Sequence, residues 1–287
     1  MLRTRLWMGA VLIGLAAVLL LEDRWFDPWY PVLFVTYLGA VCLATRELLR
    51  LLPVDVRPSE WLTVGFTLFV GTANWWSAAG NLRLDTWHLI GGAVVAGTGG
   101  AFLLEMARFR GPNQLTLKIA LTAFTLVYLG VLPSFLAQLR WLPGDRSTVA
   151  LALAVFVPKC NDIGAYFTGK FLTGRVLGRT PMTPLLSPKK TWQGAAGGML
   201  ASVAVAVGVQ ATWPVIPGGW VGAVAFGLAV GLAGILGDLA ESLLKRDLQT
   251  KDASQSVPGF GGVLDVVDSL LFAAPVVYVW FTIGAAT

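Results

Sequence analysis

The stretch Gly237 to Asp268, GDLAESLLKRDLQTKDASQSVPGFGGVLDVVD, lies between two long apolar runs and holds six of the sixteen acidic side chains. A carboxylate near the middle of a transmembrane helix costs roughly 2.5–3.5 kcal/mol on insertion scales, so acids at the edges of such runs need a partner. A bound cation is the simplest one. If Leu228 to Gln249 is one helix, Asp238, Glu241, Ser242, Lys245 and Gln249 recur at three- and four-residue steps and share a face. Pro258, Gly259, Gly261 and Gly262 break that helix, and Asp265 and Asp268 share a face of the next. Two carboxylate-bearing helix ends then meet across a glycine turn, a seat for a hard cation such as magnesium and the phosphate oxygens it attracts. Lys245, Arg246 and Lys251 are placed to complement the remaining phosphate charge. Glu241, Asp247 and Asp252 read as solvated or paired with nearby Lys and Arg, and Asp238 has a blander alternative as a buried partner of Lys245.

A second polar region precedes it. Pro158 to Trp192 carries six basic residues and four prolines, too polar to span a membrane and too rich in turn formers for one helix. Within it Asp162, Tyr166 and Lys170 follow at four-residue steps, giving one polar helical face before Gly174. GAYFTGK, Gly164 to Lys170, satisfies the first part of a phosphate-loop pattern, but Phe171 stands where Ser or Thr is required and no strand precedes it, so that reading fails. Ser187 before Pro188 reads as a helix cap, and helix-end amides beside Lys189 and Lys190 suit an anion. An ordinary basic loop is the other reading.

The elements that must hold these groups follow from composition. With 56% hydrophobic and 13% charged residues, the chain is too apolar for a water-soluble domain. Nine apolar runs are candidate spans: Leu6 to Leu21, Pro31 to Ala44, Trp61 to Ala79, His88 to Leu104, Leu117 to Leu139, Val149 to Val157, Ala195 to Trp213, Gly219 to Leu236 and Val263 to Ala286. The expected fold is an all-α polytopic membrane bundle of about nine helices with a cytoplasmic N-terminus. It divides into a scaffold over residues 1–140 and a catalytic region over 141–287, with cytoplasmic loops at 158–194 and 237–262.

Orientation comes from the twenty-one Lys and Arg. In this arrangement seventeen fall on one side and only Arg24, Arg83, Arg140 and Arg146 on the other, which by the positive-inside rule places the acidic stretch in the cytoplasm. The same rule accounts for the pI near 9.4 without nucleic acid as a partner. Eight tryptophans, Trp25, Trp29, Trp75, Trp76, Trp87, Trp141, Trp213 and Trp220, cluster at the opposite span ends and read as interface anchors. His88 and the turn Gly80 to Asp85 lie on that far side and carry no chemistry. Cys42 and Cys160 suit neither a disulfide framework nor a zinc site.

Ser242, Lys245, Arg246, Lys251, Asp252, Pro258, Gly261, Gly262, Asp265 and Asp268 closely resemble the signature of the integral-membrane phosphatidate cytidylyltransferases, the CDP-diacylglycerol synthases. Asn161, Asp162, Ala165, Tyr166, Gly169 and the run Ser187 to Trp192 resemble two further blocks of the same family, so the resemblance spans roughly the last 130 residues. The chain departs from the pattern at Phe260 (usually His), Val266 (usually Arg), Val257 (usually Leu, Ile or Phe) and Gln193 (where Glu is expected). The resemblance implies joining of phosphatidate to CTP with release of pyrophosphate, at the bacterial-type inner membrane, by a homodimer. For that chemistry the two carboxylate-bearing helix ends give Asp238 and Asp265 as the expected metal ligands, with Asp268 a third ligand or a partner behind them, and magnesium as cofactor, alone or with a second cation. Lys190 and Lys245 join the two ligands as catalytic groups. Asn161, Asp162, Tyr166, Ser187, Lys189, Ser242, Arg246 and Lys251 fall to the substrates.

Two other functions fit parts of the pattern. A CTP-dependent lipid kinase of the polyprenol type would also seat a nucleotide over paired carboxylates, and an ion-coupled transporter would use intramembrane acids near its midplane. Clustering of the charges at one face speaks against the transporter. The topology is open to cysteine labelling: Lys189→Cys and Lys251→Cys should react with an impermeant reagent from the cytoplasmic side and Arg83→Cys from the other. Reaction of all three from one side contradicts the nine-span arrangement.

Overall fold

Lipid offers no hydrogen bonds, so an apolar chain crossing it satisfies its backbone by forming helices. The computed structural model describes residues 2–79, 85–172, 178–259 and 261–284. Arg83, Phe260, Gly174, most of the turn at Gly80 to Asp85 and the end of the last apolar run lie outside them. All nine apolar runs fall on helices, apart from that undescribed end. In chain order these are α1 (Leu2–Ala17), α2 (Pro31–Leu51), α3 (Glu60–Ala79), α4 (Thr86–Ala107), α5 (Leu115–Leu126), α6 (Leu132–Gln138), α7 (Arg146–Phe171), α8 (Trp192–Thr212), α9 (Gly219–Asp247) and α10 (Val263–Ile283). A π-helical turn at Val127–Val131 joins α5 to α6, where Pro133 lacks the N–H that a regular α-helix would use. Among the described residues, seven helical segments are long and apolar enough to cross a membrane, and the chain is an integral-membrane helical bundle. The strands are β1 (Pro181–Thr183) and β2 (Ser187–Thr191), an antiparallel hairpin.

Two compact units divide the chain: Met1–Trp141 with Asp252–Val266, and Leu142–Lys251 with Val267–Thr287. In the first, polar groups that the sequence leaves scattered satisfy one another. The Asn74 amide donates to Ser134 Oγ at 2.9 Å, the Gln138 amide donates to Asn74 Oδ1 at 3.0 Å, and the Tyr37 hydroxyl lies 3.3 Å from Ser134 Oγ. Trp75 departs from its expected place at the interface, being only 4% exposed. It packs edge-on against Phe34 and Trp141, and its indole N–H donates to the Trp29 carbonyl, so its one polar atom needs no water. Trp25, Trp29, Trp76, Trp213 and Trp220 are exposed as amphipathic anchors should be.

In the second unit, small residues let backbones approach. Gly227, Gly231 and Gly234 recur along α9 and meet Val203 and Ser202 of α8 and Pro158 of α7. A Cβ at Gly198 would stand 2.6 Å from Asn161 Oδ1 and 2.8 Å from the Asn161 carbonyl. Two expected boundaries shift. The sixth apolar run and the polar face of Asp162, Tyr166 and Lys170 belong to one helix, α7, which runs through Pro158 to Phe171, because neighbouring helices tolerate a proline that isolated helices do not. The phosphate-loop lookalike Gly164 to Lys170 is thus helical, as its rejection required. Ser187 is the first residue of β2 rather than a cap; the cap of α8 is Thr191, whose hydroxyl accepts from the Gly194 N–H. The helix carrying Asp238 ends at Asp247, and Gln249, with φ 55°, has left it.

Gly198→Ala should lower stability by about 1–3 kcal/mol, the usual effect of overpacking, because a backbone carbonyl cannot swing aside. Thermal unfolding in detergent reads this, and unchanged melting contradicts the close packing of α7 on α8.

Candidate functional site

Four elements of the second unit converge their charges: the C-terminal halves of α7 and α9, the hairpin strand β2, and α10. Carboxylate oxygens of Asp238, Glu241 and Asp268 all lie within 4.8 Å of one another. Three ammonium groups face them. Lys190 of β2 stands 2.7 Å from Asp238, Lys245 donates to Glu241 Oε2 at 2.6 Å, and Lys159 lies 3.8 Å from both Asp268 and Asp162. The Lys159 ammonium also donates to Ser269 Oγ at 2.9 Å, and the Ser242 hydroxyl to Asp238 Oδ1 at 3.4 Å. Glu241 is 1% exposed and Asp268 7%, so neither is solvated. Buried carboxylates at this spacing repel unless matched, and one lysine stands against each acid.

Local sequence explains the convergence. Asp238, Glu241, Ser242 and Lys245 occupy one face of α9 through the 3.6-residue period. Gly237 allows α10 to approach: a Cβ there would meet the Asp268 carbonyl oxygen at 2.5 Å. Arg246 donates to the Leu186 carbonyl at 3.3 Å and to the Thr250 carbonyl at 3.1 Å, tying the hairpin tip to the end of α9.

In the first unit, Asp265 does other work. Its Oδ2 accepts from the Gly262 N–H at 2.7 Å and the Ala253 N–H at 3.0 Å, closing the loop over the N-terminus of α10. The acids whose oxygens meet within the second unit are Asp238, Glu241 and Asp268. Val257 and Gly261 exchange backbone hydrogen bonds across the turn, with Gly261 at φ 105°, a conformation that favours glycine. Beneath the loop lies a residue that sequence reasoning missed. Glu47 of α2 is 4% exposed and accepts from Ser254 Oγ at 2.6 Å, Leu264 N–H at 2.9 Å and Val263 N–H at 3.1 Å.

The remaining expected residues divide. Asn161 is buried, its amide donated to Ser202 Oγ at 3.0 Å and directed at the Gly231 carbonyl at 3.5 Å, so it pins α7 to α8 and α9. Asp162 and Tyr166 are exposed on α7, with the Lys170 ammonium donating to the Tyr166 hydroxyl at 3.2 Å. Lys189 and Lys251 are exposed, and Ser187 is half-buried. Lys159 was missed as a site residue because it follows Pro158 and counted as loop charge. Glu47 was missed because the apolar run was ended at Ala44, although the rule that buried acids need partners applies to it equally.

The Cytidylyltransferase family matches over residues 1–283. A phosphatidate cytidylyltransferase of Brucella suis biovar 1 (strain 1330) is 35% identical over 251 residues, 78% of this chain and 88% of that protein. One from Mycobacterium bovis (strain ATCC BAA-935 / AF2122/97) is 28% identical over 295 residues, 96% of this chain and 88% of that protein. The chloroplastic phosphatidate cytidylyltransferase 5 of Arabidopsis thaliana is 34% identical over 203 residues, 63% of this chain but 49% of its own length. The chain thus spans about half of that plant relative.

Glu47→Ala should lower stability by about 1–3 kcal/mol by leaving the first amides of α10 without their acceptor, while Glu47→Gln, which keeps an acceptor oxygen, should lose less. Equal melting of the alanine variant and the parent would remove Glu47 from this role.

Proposed function

The chain belongs to the cytidylyltransferase family, and we propose that it transfers the cytidylyl group of CTP to phosphatidate, forming CDP-diacylglycerol and pyrophosphate. The observation that carries this reading is the triplet Asp238, Glu241 and Asp268, with oxygens within 4.8 Å and three lysines ranged against it. Such a group handles charge, not redox or acyl chemistry. The oxygens lie within 4.8 Å of one another, and an octahedral magnesium shell with bonds near 2.1 Å is ~4.2 Å across, so side-chain adjustments of a few tenths of an ångström at most would let the three acids hold that cation. When bound, magnesium would supply positive charge to the phosphate oxygens of CTP.

The lysines and the hairpin do the rest. A phosphate monoester has a second pKa of about 6 and is largely an anion at neutral pH, so phosphatidate needs no general base. Its oxygen attacks the innermost phosphorus of CTP, a new P–O bond forms, and the bond to the departing pyrophosphate breaks with its electron pair. Lys159, Lys190 and Lys245 exchange carboxylate partners for phosphate oxygens, offsetting the repulsion between two anionic substrates and the charge left on pyrophosphate. Arg246, through its hold on Leu186, keeps Lys189 and Lys190 over the end of α9. Asp265 and Glu47 hold the glycine loop and the start of α10. The split of basic residues supports a site on the cytoplasmic face of the inner membrane, where CTP is, and the family resemblance supports a homodimer.

Purified protein given phosphatidate, magnesium and CTP labelled on the innermost phosphate should move the label into the organic phase and release pyrophosphate. Label left in water as CDP, with the terminal phosphate on an added lipid alcohol, would overturn the reading in favour of a kinase. Asp238→Asn and Glu241→Gln should each lower turnover by about 100-fold or more, several kcal/mol of charge stabilisation. Asp265→Asn should lose less, because an amide oxygen still accepts from Ala253 and Gly262; a loss as large as that of Asp238→Asn returns Asp265 to the ligand set.

A further inference from the structure

The first unit holds a cavity of about 420 Å³ whose lining includes none of the residues assigned above to the transfer reaction. It lies where the α2–α3 and α4–α5 connections come together, lined among others by Arg57, Glu105, Arg108, Arg110, Asn113 and Lys118. Four cationic side chains thus face one carboxylate. Arg57 is already fixed: its Nη2 donates to the Leu52 carbonyl at 2.8 Å and the Arg50 carbonyl at 3.1 Å. Arg108, Arg110 and Lys118 form no ion pair among the described residues. Glu105 can neutralise only one of them. A pocket of this size and sign, inside the usual range for small-ligand sites, selects an anion.

The surroundings say which kind of anion. The cavity sits at the ends of two membrane-crossing segments, Thr86–Ala107 and Leu115–Trp141. The last turns of α4 and the residues just after it present Phe102, Leu103, Met106 and Phe109 outward, each more than half exposed. An apolar face therefore runs from the hydrocarbon level up to the ring of cations. A soluble phosphate would use the cations and leave that face bare, whereas a phospholipid satisfies both. We propose that this pocket binds the headgroup of an anionic phospholipid, with its acyl chains along the exposed face of α4, as a site separate from the Asp238, Glu241 and Asp268 group.

The test uses full-length protein in mixed micelles of defined lipid, with retained phospholipid per protein measured by mass spectrometry after detergent exchange. Phosphatidylglycerol should be retained in preference to phosphatidylcholine. The triple variant Arg108→Gln, Arg110→Gln, Lys118→Gln should bind phosphatidylglycerol roughly 100-fold more weakly, about fivefold per cation, with phosphatidylcholine unchanged. Glu105→Gln should bind it more tightly by about fivefold, a gain that misfolding cannot imitate. Equal retention of the two lipids by the parent protein, or no change in either variant, overturns the proposal and leaves the cations with a topological role. Inorganic phosphate alone binding as tightly as the lipid overturns the assignment in favour of a soluble anion.

Discussion

Charge matching inside an apolar bundle governs the second unit. Asp238, Glu241 and Asp268 lie close together, the last two buried, and Lys190, Lys245 and Lys159 offset them one for one. The packing follows from that need. Lys159 reaches the group only because α7 continues past Pro158, Lys190 only because a hairpin brings β2 over α9, and Asp268 only because Gly237 lets α10 come close. Each of these devices is local, and each would be hard to explain for a helix that merely fills the membrane.

The same economy of polar groups appears in the first unit at a different scale. Glu47 turns a buried acid into an acceptor for three donors, two of them the orphan amides that every helix N-terminus leaves. Asp265 closes the loop from the other side. Two aspartates three residues apart on α10 thereby have separate partners: Asp265 answers to backbone amides, Asp268 to lysine and to the other acids. A carboxylate near a helix N-terminus is also favoured by the helix dipole, so the cap and the charge act in the same direction.

Lys and Arg occupy two kinds of place in this chain. In the second unit Lys159, Lys190 and Lys245 are paired with acids. Around the cavity of the first unit Arg108, Arg110 and Lys118 gather against a single carboxylate. The positive-inside rule explains why cations collect at such ends, but it does not ask them to line a cavity beside an exposed apolar face.

The sequence by itself determined the apolar helices, because a chain this poor in charge has no other way to satisfy its backbone in lipid. It also marked the stretch Gly237 to Asp268, since acids next to apolar runs are too unfavourable to be incidental. It could not decide which acids meet. Periodicity puts Asp238 and Glu241 on one face of α9 and Asp265 and Asp268 on one face of α10, but periodicity carries no information about what each face touches. Only the tertiary structure brought Glu241 together with Asp238 and Asp268, sent Asn161 into the packing of α7, α8 and α9, and brought Glu47 from some two hundred residues away to the start of α10. Those choices depend on contacts between segments distant in the chain, and local spacing does not encode them.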